Sequence, residues 1–399
     1  MNSNLQKMPP NWIKVRFDEI AENITDRIDK PNESGLEYYI GLEHIDTDQI
    51  RIKRFGSTDD VNATKFLCKK GDIIFGKRRS YLRKVAVTDR DAVVSAHSMV
   101  IRPKADLIVP EFLPCFMQSS IFWKTAHAIS EGSMSPTIKW KTMAKQEFLV
   151  PTINEQKKIS ETLWSIEENT ETVENILKLT SVLKISLLNK LLTNGIEHNN
   201  FKKTEIGEIP EDWEVVKLID IADIIMGQSP PSSSYNDFDG LPFLQGKADF
   251  GNIEPIITKY TTKPSKISEK GDILFTVRAP VGDMNWCNTT CCIGRGIAAL
   301  RPKETVIPKF LYYQLDKLRS NFEQLSQGST FTAINSKELK NFSVVVPPLD
   351  EQKEIANILY KLDLNISQFN DHILYVSNLK KKLTNNFISG KLIIPKEVL

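Results

Sequence analysis

The chain contains one segment twice, and this repeat limits its possible folds more than any other feature of the sequence. Residues 150–159 read VPTINEQKKI and residues 346–355 read VPPLDEQKEI, an offset of 196 residues (346 minus 150) in a chain of 399. A chain of this length is too long for a single hydrophobic core. The repeat therefore predicts two copies of one domain rather than one large domain.

A heptad pattern of apolar residues follows each copy and predicts a long helix with a narrow apolar seam. The seam of the first helix is Ile159, Leu163, Ile166, Val173, Leu177 and Leu187. The seam of the second helix is Ile355, Leu359, Leu362, Ile366, Phe369, Ile373, Val376 and Leu383. Each helix is expected to extend for about 40 residues, or about 60 Å, with Asn154 or Asp350 as its N-cap.

Two matching seams in one chain favour pairing of the helices with each other, although a single helix of this kind can also form a homodimer. If an approximate two-fold axis relates the two halves, the helices pair as an antiparallel coiled coil with the globular domains at opposite ends. Lys184 and Lys380 interrupt the seams at equivalent positions. These lysines either fix the register of the pair or extend their charges into solvent.

The repeat continues into the globular parts of the chain. The segment KGDIIF at 70–75 returns as KGDILF at 270–275, and IRPK at 101–104 returns as LRPK at 300–303. A Gly-Asp turn before β-branched and aromatic residues is typical of a turn that leads into a strand. The shared segments therefore predict a common scaffold of helices and strands.

The predicted fold class is α+β, with two tandem-duplicated globular domains separated by two long helices. The predicted boundaries are 1–150 for the first domain, 151–198 for the first helix, 199–347 for the second domain and 348–399 for the second helix. Residues 22–69 and 223–269 occupy equivalent places between the shared segments, but their sequences are not similar to each other. One scaffold with two different surfaces indicates two related tasks on two different targets.

Composition excludes some classes of protein. The formal net charge of +2 is too small to indicate nucleic-acid binding by bulk charge, so such binding depends on local patches. Neither a signal peptide nor a membrane span is expected, because the N-terminus is polar and no run of 18 apolar residues occurs. The five cysteines are expected to be free thiols of a cytoplasmic protein, since Cys287, Cys291 and Cys292 lack the partners of a zinc site.

The richest basic window is residues 65–84, with eight Lys or Arg residues against one acid. Lys and Arg donate to phosphate oxygens, and Arg also binds guanine edges. Two Ser/Thr-rich loops, beginning at Gly132 and Gly328, offer further donors. The candidate DNA-binding residues are Lys77, Arg78, Arg79, Lys84, Ser133, Ser135, Thr137, Lys139, Arg278, Arg295, Ser329, Thr330 and Thr332. A charged rim that binds only water is the alternative interpretation of the basic window.

Catalytic signatures are missing from the sequence. It contains no P-loop, no G-x-G-x-x-G after a strand, no H-E-x-x-H and no Asn-Pro-Pro-aromatic tetrapeptide. Its five histidines are scattered and do not pair at the spacing of metal ligands. The sequence therefore predicts a binding protein without catalytic residues or a metal.

The twofold plan, the Gly-Asp turns, the Gly-Ser loops and the Glu-Gln segment before each long helix resemble the DNA-specificity subunit of type I restriction–modification systems. This resemblance implies that each globular domain is a target-recognition domain for one half of a split DNA sequence. It implies that the coiled coil sets the unspecified gap and docks the methyltransferase subunits. The expected DNA-facing loops are Lys77–Arg79, Ser133–Lys139, Arg278 and Ser329–Thr332.

The resemblance also implies the partners of the chain. Two methyltransferase subunits are expected to bind S-adenosylmethionine and to flip the target adenine, and motor–nuclease subunits are expected to cut unmodified DNA. Three alternatives remain at this point: a coiled-coil scaffold whose domains bind proteins, a methyltransferase or nuclease in its own right, and the same reader in another modification system.

Overall fold

The chain divides into two compact units in the computed structural model, which describes residues 11–327 and 333–393. Unit 1 is Met1–Asn175 with Asp371–Leu399, and unit 2 is Ile176–Asn370. Both units mix helices with β-sheets, so the predicted α+β class and the duplication are confirmed. The unit boundaries fall inside the two long helices, so each unit contains part of both helices.

From residue 11 onward, where the structure describes it, the globular part of unit 1 contains eleven strands and four short α-helices. The strands are β1 Ile13–Arg16, β2 Ala21–Ile24, β3 Arg27–Ile28, β4 Tyr38–Ile40, β5 Gly56–Ser57, β6 Lys65–Cys68, β7 Ile73–Gly76, β8 Val85–Val87, β9 Ala92–Val94, β10 Ser98–Pro103 and β11 Glu147–Val150. The helices are α1 Phe17–Ile20, α2 Phe112–Met117, α3 Ser120–Ala128 and α4 Trp140–Met143. The long helix α5, Ile153–Asn194, follows.

The globular part of unit 2 repeats this plan. Its described strands are β12 Phe201–Thr204, β13 Gly207–Pro210, β14 Glu214–Lys217, β15 Ala222–Met226, β16 Tyr235–Asn236, β17 Leu241–Leu244, β18 Tyr260–Thr261, β19 Ile267–Ser268, β20 Ile273–Thr276, β21 Met284–Trp286, β22 Cys291–Ile293, β23 Ile297–Pro302 and β24 Ser343–Val346. Its short helices are α6 Leu218–Ile221, α7 Pro308–Lys317, α8 Arg319–Gln327 and α9 Ser336–Lys340. The second long helix is α10, Leu349–Ile388.

The two globular domains share the order of their four-stranded sheets and the centre of their five-stranded sheets, whereas the edge strands β3 and β16 lie on opposite sides of the parallel pair. An antiparallel four-stranded sheet has the order β2-β10-β7-β8 in unit 1 and β15-β23-β20-β21 in unit 2. A five-stranded sheet contains one parallel pair in each unit, β4 with β9 and β17 with β22. Strand β1 pairs with β11, and β14 pairs with β24, so an early strand of each domain lies beside the strand that leads into a long helix.

The repeated Gly-Asp turns and Arg-Pro segments meet in each unit as an ion pair between a buried aspartate and a half-buried arginine. The Asp72 carboxylate accepts from Arg102 Nε at 2.7 Å and Nη2 at 2.8 Å. Asp272 accepts from the same two atoms of Arg301, both at 2.9 Å. Because each arginine binds both carboxylate oxygens, the pair fixes the turn before β7 or β20 against the neighbouring strand.

The two long helices have the predicted length, with 42 residues in α5 and 40 in α10. Every predicted seam residue is buried or half-buried, whereas Leu179 and Leu374, outside the seams, are exposed. The N-cap predictions are wrong, because Asn154 and Asp350 lie inside the first turn. In α5 the cap is Thr152, whose backbone N–H and hydroxyl donate to Glu155 at 3.0 and 2.9 Å.

The glutamine of each repeated Glu-Gln segment clamps a long helix to its globular domain. The buried Gln156 side chain accepts from Val109 N at 2.8 Å and donates to the carbonyls of Pro151 at 2.9 Å and Leu107 at 3.2 Å. Gln352 makes the equivalent three contacts in unit 2 at 2.8, 2.8 and 3.4 Å. Buried backbone groups need such partners, so this residue explains why the segment recurs.

The main hydrophobic core of each unit includes residues of the long helices. In unit 1, Ile159 of α5 and Phe387 of α10 join the core, and in unit 2 Leu192 of α5 and Ile355 of α10 do so. All five cysteines are buried and unpaired. Within residues 11–327 and 333–393, no helix is long and apolar enough to cross a membrane.

Candidate nucleic-acid interface

The basic loop after β7 is held against the Gly-Ser loop of unit 1. Lys77 donates its backbone N–H to His97 O at 3.2 Å, and its carbonyl accepts from Ile138 N at 2.9 Å. Arg78, the next residue, forms a single antiparallel β-bridge with Thr137. The two loops that the sequence separates by about sixty residues therefore form one surface.

The loop after β20 in unit 2 is held in the same way. Val277 donates to Gly296 O at 3.0 Å and accepts from Ile334 N at 2.9 Å. Arg278 then forms an antiparallel bridge with Ala333. Arg78 and Arg278 consequently occupy equivalent positions in the two domains, each two residues after a strand end and bridged to Thr137 or Ala333.

Positive charge is concentrated around the first of these loops. The Lys77 ammonium lies 5.7 Å from the centre of the Phe66 ring, and the Arg27 guanidinium lies 5.6 Å from it. Burial, followed by the charges of Arg78 and Arg27, lowers the pKa of Lys77. The lowered pKa of Lys77 thus reflects burial first and the nearby cations second, and this group of cations is suited to bind phosphate.

Histidine 97 belongs to the same cluster. Burial lowers the pKa of His97, and the charges of Arg78, Lys77 and Lys65 lower it further. Within the described parts of the chain, neither Arg78 nor Arg79 forms an ion pair with a carboxylate, and both side chains are exposed. An anion placed here would therefore relieve repulsion among several cations.

The remaining predicted residues of unit 1 fall into two groups. Ser133 and Ser135 are exposed in the Gly-Ser loop, and the Thr137 hydroxyl donates to Ser135 O at 3.0 Å. Lys139 pairs with Glu131 at 2.6 Å, and the half-buried Lys84 donates to the carbonyl of Leu42 at 2.5 Å. The ammonium groups of Lys139 and Lys84 are thus already bound within the domain.

Two of the predicted arginines of unit 2 meet in one hollow. Its volume is about 240 Å³, and it is lined by Ser229, Gln245, Gly246, Lys247, Arg278, Ala279, Arg295 and Gly296. Lys247 pairs with Asp283 at 3.1 Å. Among the residues that the structure describes, no carboxylate pairs with Arg278 or Arg295, so their charges are available to a ligand.

Some site residues were missed by the sequence analysis, and others cannot be placed. Gln245, Arg27 and His97 carry no local sequence signal, because their neighbours come from distant strands. Ser329, Thr330 and Thr332 lie outside the described residues. In the described part of the chain, no three His, Cys, Asp or Glu side chains come close enough to hold a metal ion.

Comparisons with known proteins find the same kind of domain in each half of the chain. The profile of the type I restriction modification DNA specificity domain matches residues 9–180 and 210–376. The "Putative type I restriction enzyme MjaX specificity subunit" of Methanocaldococcus jannaschii is 36% identical over 98% of this chain and 96% of that protein.

Solved structures are similar over nearly the whole chain. The HsdS subunit from Thermoanaerobacter tengcongensis is 29% identical, with a TM-score of 0.52 over 98% of this chain and 100% of that chain. A chain solved for the complex assembly and conformational transition of the type I R-M system is also 29% identical. Its TM-score is 0.62, over 97% of this chain and 100% of that chain.

Proposed function

Because the chain belongs to the type I restriction–modification DNA-specificity family, we propose that its two globular domains each read one half of a bipartite DNA target. The chain is a specificity subunit, and its task in such a system is recognition of DNA sequence. The observation that carries the bipartite proposal is the equivalence of Arg78 and Arg278. Both domains have an arginine at this position of the shared scaffold, and the residues around it differ between the domains.

The two long helices pair antiparallel and set the spacing of the two half-sites. Two ion pairs between the helices support this pairing. In unit 1, Lys380 of α10 pairs with Glu167 of α5 at 2.5 Å, and in unit 2, Lys184 of α5 pairs with Asp363 of α10 at 2.6 Å. The seam lysines thus have acidic partners on the other helix, which supports a role in fixing the register.

The direction of the pairing follows from which parts of the helices share a core. In unit 1, Ile159 near the start of α5 lies in one core with Phe387 near the end of α10. In unit 2, Leu192 near the end of α5 lies in one core with Ile355 near the start of α10. Within each unit the start of one helix therefore lies near the end of the other, as an antiparallel pair requires.

Two methyltransferase subunits dock on the helices. Leu179 and Leu183 are exposed on α5 in unit 2, and Tyr375 and Leu379, at equivalent positions 196 residues later, are exposed on α10 in unit 1. Residues four apart lie on one face of a helix. Each unit thus offers an apolar pair of the same kind, which suits two copies of one partner.

The chain itself supplies recognition, and catalysis comes from its partners. The methyltransferase subunits carry S-adenosylmethionine, and motor–nuclease subunits cut unmodified DNA. The names of the relatives as specificity subunits support this division. A methyl-transfer assay on the chain without partners tests it, since incorporation of methyl groups by the lone chain would contradict a role in recognition only.

The test of the bipartite function is selection of bound duplexes from a random pool by the chain with its methyltransferase partners. Two short unlike blocks around a fixed gap are expected. A single block would mean that one domain alone reads DNA, and no enrichment would favour the alternative of a protein-binding scaffold. A variant with Lys77, Arg78 and Arg79 changed to Ala should bind more weakly and lose part of its salt dependence.

A further inference from the structure

The hollow of unit 2 brings a glutamine and an arginine together from strands that are distant in sequence. Gln245 follows β17 directly, and Arg295 follows β22 after one residue. Strand β17 pairs with β22 in parallel, with Leu244 opposite Ile293. The two side chains therefore emerge at the same end of neighbouring strands, and both are exposed.

Glycines on both sides of Arg295 fix its position relative to Gln245. A Cβ at Gly296 would lie 2.7 Å from the Gln245 carbonyl oxygen, and a Cβ at Gly294 would lie 3.2 Å from Gln245 Cα. Gly294 also donates to Leu244 O at 2.8 Å. Because the two backbones pack directly on each other, Gln245 and Arg295 are held at a constant separation.

The hydrogen-bonding groups of both side chains are free for a ligand. Neither the Gln245 carboxamide nor the Arg295 guanidinium has a hydrogen-bond or ion-pair partner among the residues described by the structure. The nearby acids are already bound: Asp249 accepts from Gln245 N at 2.6 Å, and Asp283 pairs with Lys247 and Arg319. The hollow is therefore rich in donors, and the two carboxylates nearest to it are already bound.

Unit 1 has different groups at the same two positions. Ser95 donates to Ile40 O at 2.9 Å, the equivalent of the bond between Gly294 and Leu244. By this equivalence Gly41 stands where unit 2 has Gln245, and Ala96 stands where it has Arg295. The Glu43 carboxylate fills the space that a side chain at Gly41 would occupy.

This comparison separates shared positions from variable ones. At the position of Arg78 and Arg278, both domains have arginine. At the positions of Gln245 and Arg295 in unit 2, unit 1 has Gly41 and Ala96. A contact that both domains need, whatever their target, is a contact to the DNA backbone, because phosphate carries no sequence information. Groups that differ on one scaffold are the ones that can give the two domains different targets.

We infer that Gln245 and Arg295 read purine edges in the second half-site, while Arg278, like Arg78, binds phosphate. This inference rests on the proposed function and assigns the specificity-determining residues of unit 2. Gln offers a donor and an acceptor that match adenine N7 and N6, and Arg offers two donors that match guanine O6 and N7. Both pairings use the major groove, where each base pair has a distinct pattern.

The experiment uses the chain assembled with its methyltransferase partners and a random duplex pool, with sequencing of the selected DNA. Gln245→Ala and Arg295→Ala should each make one purine position of the second half-site degenerate, with a loss of roughly 5- to 150-fold in preference. The first half-site and the gap should not change. Arg278→Ala should keep the whole consensus, weaken binding to all sequences alike and lower the salt slope by about one unit.

Lys270→Ala is the matched control, because this exposed lysine of unit 2 lies outside the hollow. An unchanged consensus with Gln245→Ala and with Arg295→Ala would overturn the assignment while leaving the bipartite function intact. A changed consensus with Arg278→Ala would also overturn it. Failure of the unaltered complex to select any motif is a different result, since it would remove the proposed function itself. Thermal unfolding of each variant confirms that these exposed side chains leave the fold unchanged.

Discussion

Lys380 Nζ lies 2.5 Å from Glu167 Oε2, and the two side chains are only 11% and 4% exposed. The equivalent pair in unit 2, Lys184 with Asp363, is 2.6 Å apart but 23% and 25% exposed. A buried charge that loses its partner is strongly destabilising. The same type of pair should therefore differ in its effect on stability between the two units.

Replacing Lys380 with Met should lower the free energy of unfolding by about 3 kcal/mol, because Glu167 then lies buried without a cation. Replacing Lys184 with Met should cost less, since Asp363 retains access to water. Urea unfolding measures both effects. Lys382→Met, at an exposed position of α10, is the control. Equal losses for Lys380→Met and Lys382→Met would contradict the role of burial.

Replacing Gln156 with Leu should lower the free energy of unfolding by about 2 kcal/mol, because Val109 N and two carbonyls lose their partners in a buried place. Gln352→Leu should have a similar effect through unit 2. Gln368→Leu, on the exposed face of α10, serves as the comparison. If the three variants unfold at the same urea concentration, the clamp contributes nothing to stability.

Inserting seven residues into each long helix, after Asn175 and after Asn370, should lengthen the gap between the half-sites. Seven helical residues add about 10 Å, which corresponds to about three base pairs of DNA at 3.4 Å each. Selection of duplexes by the assembled complex measures the gap. The sequences of the two half-sites should not change. An unaltered gap would disprove the role of the helices as a spacer.

Changing Leu179 and Leu183 to Glu should remove one methyltransferase subunit from the complex, and changing Tyr375 and Leu379 to Glu should remove the other. The physical reason is that a charge cannot be buried without a partner when the subunit docks. Mass measurement of the purified complex gives the number of subunits. Exchange of exposed Lys178 for Glu controls for added negative charge. Retention of both subunits in both double variants would place the docking surface elsewhere.

Lowering the pH from 7.5 to 5.5 should strengthen DNA binding through His97. Burial and then Arg78, Lys77 and Lys65 lower the pKa of this group in the free protein. Bound phosphate offsets these cations and raises the pKa of His97 above its value in the free protein, so the complex binds more protons than the free protein and is favoured as the pH falls. Titration at constant salt measures the effect. His97→Gln should reduce it, and His372→Gln should not.

The duplication, the α+β class, the helix lengths and the seams could be predicted from the sequence because each depends on local periodicity or on a direct match between two segments. The proximity of Gln245 to Arg295 could not be predicted, since it arises from parallel pairing of strands that lie about fifty residues apart. Local context also misled the N-cap prediction, because Thr152 rather than Asn154 caps α5.

Identical residues at equivalent positions of the repeated segment can also have different roles. Glu155 caps α5 through Thr152, whereas Glu351 accepts from Trp213 Nε1, His198 and Ile196 N, each at 2.9 Å. The difference comes from residues between the end of α5 and the start of β14 that pack against the start of α10. No pattern within the segment itself reports on those neighbours.

The glycines that flank Arg295 have a consequence for how such a protein diverges. They let two strand ends pack through backbone alone, so the side chains between them contribute no volume to the core. A single-codon change at Gln245 or Arg295 can therefore alter the preferred DNA sequence with little penalty in folding. A lineage that acquires such changes would gain a new DNA specificity in one step, provided that the shared arginine and the clamp residues stay in place.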